Sequence, residues 1–162
     1  MRIAFIIETG NHLYSGGHMP DSEWAKALAK KLAKKKEAEV ITNTAFVMDE
    51  QRKQTAGPEL WKELREQFRT KCEALNREAG ESILTFEVVQ SNELQIRKAG
   101  TAVLLKGHYN SELTCAVIDS ERFQVRIDKN SGLAFLFDEA MNLPVEAERV
   151  AESLLETFVT GQ

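Results

Sequence analysis

The sequence is poor in the residues that staple a chain, punctuate it or span a membrane. Among 162 residues there are two cysteines, three prolines, three histidines, two tryptophans and two tyrosines. Cys72 and Cys115 stand far apart, with no CxxC or Cys/His spacing around them. This excludes a disulfide framework and a zinc signature, and reads as two buried apolar residues in a reducing compartment. No apolar run approaches the ~20 residues that cross a bilayer. Neither a dinucleotide fingerprint nor a P-loop nor a nucleophile elbow is present. The expected setting is cytoplasmic, with no metal, no cofactor and no membrane partner.

What is present is ordinary for a globular chain, with 43% hydrophobic and 28% charged residues. The net charge of −4 conceals an asymmetry. Residues 1–80 carry 14 Lys and Arg against 12 Asp and Glu, whereas residues 81–162 carry 7 against 13. Phosphate binding rests on clusters of Lys and Arg, so the acidic second half argues against a nucleic-acid surface there.

Helical periodicity begins at Asp21. Trp24, Leu28 and Leu32 recur every four positions among alanines and lysines, with Asp21 or Ser22 as cap, and the spacing predicts a helix to about Glu39. The segment from Val40 to Gly57 reads as a connection. Pro58 suits the first turn of a second helix, in which Leu60, Trp61, Leu64, Phe68, Cys72 and Leu75 form one stripe, and Gly80 stops it. After Gly80 the period falls to two. Leu84–Val88, Leu94–Ile96, Val103–Leu105, Leu113–Val117, Phe123–Ile127 and Leu133–Phe137 read as six strands, separated by turn clusters and joined with no helix between them. That is an antiparallel meander. Pro144 opens a last helix with Ala147, Val150, Ala151, Leu154 and Phe158 on its buried stripe. The expected fold is α+β: two N-terminal helices, a six-stranded antiparallel meander, and a C-terminal helix packing on the sheet. A meander closed by a C-terminal helix is similar in architecture to pleckstrin-homology-like domains, which are mostly binding modules. No residue-level motif accompanies that resemblance.

The opening IAFIIETGNHLYSGG does not fit a nucleotide site, because its glycines lack the required spacing and no parallel strands follow. Residues 1–19 are either an edge strand of the meander or an extension outside the fold, with Met19 as the natural start; residues 20–162 form the expected single domain.

Candidate chemistry is sparse. His108, beside Tyr109 at a strand end, could move protons near neutral pH, but Cys115 is expected to be buried and inert. Asp128 to Gly132 has the flavour of a calcium loop, with Glu139 at its twelfth position. Its glycine falls one place early, and a hairpin turn explains the same residues. Lys30, Lys31, Lys34 and Lys35 share a helix face and form a basic patch that could meet nucleic acid, an anionic surface or an acidic partner. The carboxylates Glu148, Glu152 and Glu156 form a polar stripe on the last helix.

These features point to a non-catalytic module that binds a protein partner or associates with itself, a dimer included, since a meander has two edges to satisfy. The alternative is a small-molecule carrier or small enzyme, with a pocket between sheet and long helix. Trp61, Phe68, Phe86, Phe123 and Phe135 would line that pocket, with His108 at its mouth and Tyr109 as a further ligand-binding candidate.

Overall fold

The computed structural model describes residues 21–161, and the N-terminal strand or extension expected over residues 1–19 lies outside them. The chain divides into two units, Met1–Phe46 and Val47–Gln162. Helix α1 (Asp21–Ala79) belongs to both.

One N-terminal helix therefore replaces the two expected. The β-branched stretch after Glu39 is helical too, and its threonine hydroxyls are satisfied within the helix: Thr42 and Thr44 donate through Oγ1 to the carbonyls of Ala38 and Val40 at 2.9 and 2.8 Å. Gly57 and Pro58, expected as a stop and a start, lie inside the helix. Pro58 can donate nothing to the Gln54 carbonyl one turn back, a defect of about 3 kcal/mol in an ordinary helix. Gly57 is buried against Tyr109, and at this point the helix lies close to the sheet. In the first unit Trp24, Leu28 and Leu32 form the expected stripe, but it faces solvent, with 51, 41 and 52% of each residue exposed.

In the second unit seven antiparallel strands follow in simple meander order: β1 (Leu84–Gln90), β2 (Glu93–Lys98), β3 (Leu104–Asn110), β4 (Cys115–Ile118), β5 (Glu121–Ile127), β6 (Ala134–Asp138) and β7 (Leu143–Val145). The seventh strand was not expected. Asp138 makes it possible by turning the chain: its Oδ1 accepts from the Ala140 and Met141 N–H groups. Pro144, expected to open the last helix, pairs with Phe137 on this outermost strand, where its missing N–H breaks no ladder. Helix α2 (Ala147–Thr160) begins three residues later and ends at Gly161, which adopts the left-handed conformation and donates its N–H to the Thr157 carbonyl.

One sheet face packs on α1 and α2. Trp61, Leu64, Phe68 and Cys72 from α1, Ile96, Ile118 and Phe123 from the strands, and Val150, Ala151 and Leu154 from α2 are all buried, and periodicity marks all but Ile118 as inward-facing. Lys71 reinforces the helix pair, donating to Glu148 at 2.8 Å and Glu152 at 2.9 Å. Lys98 reaches from β2 to the Val159 carbonyl at 2.7 Å.

Two strands run in the opposite phase to the one expected. In β4, Ala116 and Ile118 face the core, and Cys115, buried as expected, lies with Val117 on the other face; in β6, Leu136 faces the core, and Phe135 and Phe137 face away. Apolar residues on both faces make the alternation ambiguous. Thr114, with φ of 46°, moves Leu113 off the strand into an exposed turn. On the outer face the Arg126 guanidinium lies 3.4 Å from the Phe137 ring centroid and shields it from water. Among the described residues no helix is long and apolar enough to cross a membrane.

Candidate functional site

The feature that sets one surface of the second unit apart is the edge of β1, which no other strand covers among the described residues. Asn76 lies in phase with Phe68 and Cys72 on the buried stripe of α1, so its amide points at the first residues of β1 instead of into water. Its Oδ1 accepts from the Ile83 and Leu84 N–H groups, both at 2.9 Å, and its Nδ2 donates to the Leu84 carbonyl at 2.7 Å. The side-chain amide thus meets Leu84 as the peptide group of a neighbouring strand would.

This contact fixes the direction of every backbone group along β1. The backbone groups of Leu84 point away from β2, so those of Thr85 and Glu87 point toward it, opposite Arg97 and Gln95. Those of Phe86 and Val88 point outward again. A bulge between Val88 and Gln90 ends the regular pairing. The turn beyond is tied back to α1, because the Ser91 carbonyl accepts from Trp61 Nε1 at 3.1 Å and from Arg65 Nη1 at 2.6 Å. Both ends of β1 are therefore pinned to α1. Its middle, with Glu87 exposed and Val88 half exposed, presents two outward N–H and C=O pairs. At the opposite edge β7 has three residues and contains Pro144, which blunts it.

The residues proposed to line a pocket lie in one shared core, except for His108 and Phe135. Trp61, Phe68 and Tyr109 are buried in the core, with Phe86 packed against them. The Trp61 and Tyr109 rings stack with centroids 6.2 Å apart. The Tyr109 hydroxyl is buried without a hydrogen-bond partner among the described residues, and burial pushes its phenol pKa upward. His108 is exposed and pairs with Glu93 and Val117, on the face opposite Tyr109. Lys30, Lys31, Lys34 and Lys35 are exposed in the first unit and form no ion pair among the described residues.

Other groups explain themselves locally. Asp128 accepts from the Asn130 and Ser131 N–H groups, forming the hairpin turn that resembles a calcium loop. Burial pushes the Cys72 thiol up to about 11, leaving it protonated at neutral pH. Among the described residues no three His, Cys, Asp or Glu side chains converge as a metal would require. Between α1 and the start of β6, a groove of about 540 Å³ lies over Leu60 and Leu133, and a larger one of about 760 Å³ runs between the β6–β7 turn and α2.

Asn76 escaped the sequence reading, although one signal was available: a polar residue continues the four-residue spacing of Phe68 and Cys72. Polar side chains in phase with a buried stripe normally have backbone to satisfy. The chain matches no protein-family model, no curated protein and no solved structure.

Proposed function

We propose that this chain is a non-catalytic protein-binding module whose β1 edge accepts an extended strand from a partner. The observation that carries this reading is the Asn76–Leu84 pairing. It satisfies one outward backbone pair by imitating a strand and leaves Phe86 and Val88 for a real one. Strand addition draws affinity from main-chain hydrogen bonds and specificity from alternate side chains. Glu87, between the two open residues, favours a cation opposite it. The same carboxylate disfavours pairing of two β1 strands about Glu87, which would set like charges face to face. The filled interior around Phe68 supports a binding module over a carrier of small molecules.

Selection from a library of random extended peptides, with Val88→Pro as the counter-target, tests the reading. Val88 does not use its N–H to pair with β2, so proline on this edge removes only the outward donor. Bound peptides are expected to alternate apolar and polar residues, with Lys or Arg facing Glu87, and to bind at least about tenfold more weakly to the proline variant. Peptides indifferent to that substitution would overturn the assignment of β1.

A further inference from the structure

Two surfaces of this chain complement each other in charge and in apolar character, and neither is the β1 edge. The first is the helical segment Asp21–Lys36. Trp24, Leu28 and Leu32 give it a continuous apolar stripe that is about half exposed. Six lysines stand against Asp21 and Glu23 in these residues, and among the described residues only Lys26 has an ion-pair partner, Glu23 at 3.7 Å. At ~100° per residue, Lys31 lies about 60° from Leu28 around the helix axis and flanks the stripe, and Lys35, about 20° from Leu28, continues its line one turn beyond Leu32.

The second surface is the groove of about 760 Å³ between the β6–β7 turn and α2. Met141 and Leu143 are exposed on its wall, at 65 and 39%. Around them stand Glu121, Glu146 and Glu156, which have no ion-pair partner among the described residues, and Glu152, which Lys71 and Arg149 already engage. Among the described residues Arg149 is the one cation lining this groove.

We infer that the basic amphipathic segment of one molecule docks into the acidic groove of a second copy, with Trp24 and Leu28 against Met141 and Leu143, and Lys31 and Lys35 beside Glu121 and Glu156. A water-exposed stripe of this size gains by burial against apolar side chains. The surrounding charges set its register and reject a like-charged partner. Their shared positive charge disfavours two copies of the helix as mutual partners. The contact is heterologous: each molecule offers one helix and one groove, so it closes a pair by reciprocal exchange or extends a chain of copies.

Charge reversal in the full chain separates this contact from others. Lys31→Glu with Lys35→Glu makes the helix acidic; Glu121→Lys with Glu156→Lys makes the groove rim basic. All four residues are exposed, and circular dichroism checks that each variant folds. Sedimentation velocity at low salt should show association of the wild type that weakens at least about tenfold when salt is raised from about 50 to 500 mM. Each double variant alone should sediment as a monomer, and an equimolar mixture of the two should associate again, because each then supplies the surface the other lost. The substitution Val88→Pro should leave all of this unchanged.

A monomeric wild type at about 100 μM would overturn the inference, as would association that survives both reversals or a mixture that stays monomeric. A wild type that stays monomeric but binds phosphatidylserine vesicles, with Lys31→Glu/Lys35→Glu abolishing the binding, would assign the helix to a lipid surface instead.

Discussion

Asn76 stands against Leu84 as one strand stands against the next, accepting from its N–H and donating to its carbonyl. The α1–β1 connection is short, and the only backbone available to cover the first residue of β1 would have to come from elsewhere. A side-chain amide does that work with the geometry of a peptide group.

Replacing Asn76 by alanine strips partners from Leu84 N–H and C=O and leaves Ile83 N–H only its contact with the Glu81 carbonyl. Leaving such part-buried groups unsatisfied costs about 1–3 kcal/mol. Urea denaturation should show a loss of that size, with an unchanged slope. Asn76→Asp keeps both acceptances but sets a carboxylate against the Leu84 carbonyl, so it too should be destabilising.

Gly57 and Tyr109 make a second testable pair. In an exposed helix Gly→Ala gains up to about 1 kcal/mol. Here a Cβ on residue 57 would overlap the Tyr109 hydroxyl and come within 2.9 Å of Cζ. Gly57→Ala should therefore destabilise the fold. Tyr109→Phe removes a buried hydroxyl that has no partner among the described residues and should be neutral or stabilising. Combined, the two should recover part of the Gly57→Ala loss, giving a non-zero coupling in a double-mutant cycle.

The Lys71 ammonium predicts a pH dependence. Its hydrogen bond holds the Glu148 carboxyl below the usual carboxylate range, and hydrogen bonds to Glu148 and Glu152 raise Lys71 in turn. The Glu148 contribution is present above the ordinary carboxylate pKa of about 4.3 and is lost as pH falls through its lowered value. The Lys71 contribution is present below about 10.4 and is lost as pH rises through its raised value. In Lys71→Met, Tm should fall less steeply on acidification below about pH 5 than in the wild type.

Cys72 should resist alkylation. Its thiol is buried and pushed up to about 11, so iodoacetamide at pH 8 should reach it only through opening of the core. Because the folded pKa lies above the ordinary thiol value of about 8.5, stability should decline as pH rises from there toward 11. Rapid labelling of Cys72 in the native protein would place it outside the core.

Periodicity identified the elements that bury one face alone. Leu64, Phe68 and Cys72 in α1, Phe123 and Val125 in β5, and Val150 and Leu154 in α2 each lie on the face their spacing marks. It misled where both faces are apolar, as at Cys115 and Phe137, since a period of two then fits either orientation. Local breakers misled at Gly57 and Pro58, because the close approach of Tyr109 there and the sheet packing decide against the usual preference for a break. The last strand escaped notice because its three residues include a proline, a pattern tolerated only at an edge. The β1 edge was foreseeable only as one of two meander edges; which edge is open depends on Asn76 and Pro144, and neither contact can be read from spacing.

Residue-resolved amide hydrogen exchange across β1, in the free protein and with a peptide from the library selection, tests the open edge most directly. The alternation set by Asn76 and Leu84 predicts protected amides at Leu84, Thr85 and Glu87, and fast exchange at Phe86 and Val88 that slows when the peptide is added. Protection of Phe86 and Val88 in the free protein, or exchange there that the peptide leaves unchanged, would contradict a strand-accepting β1.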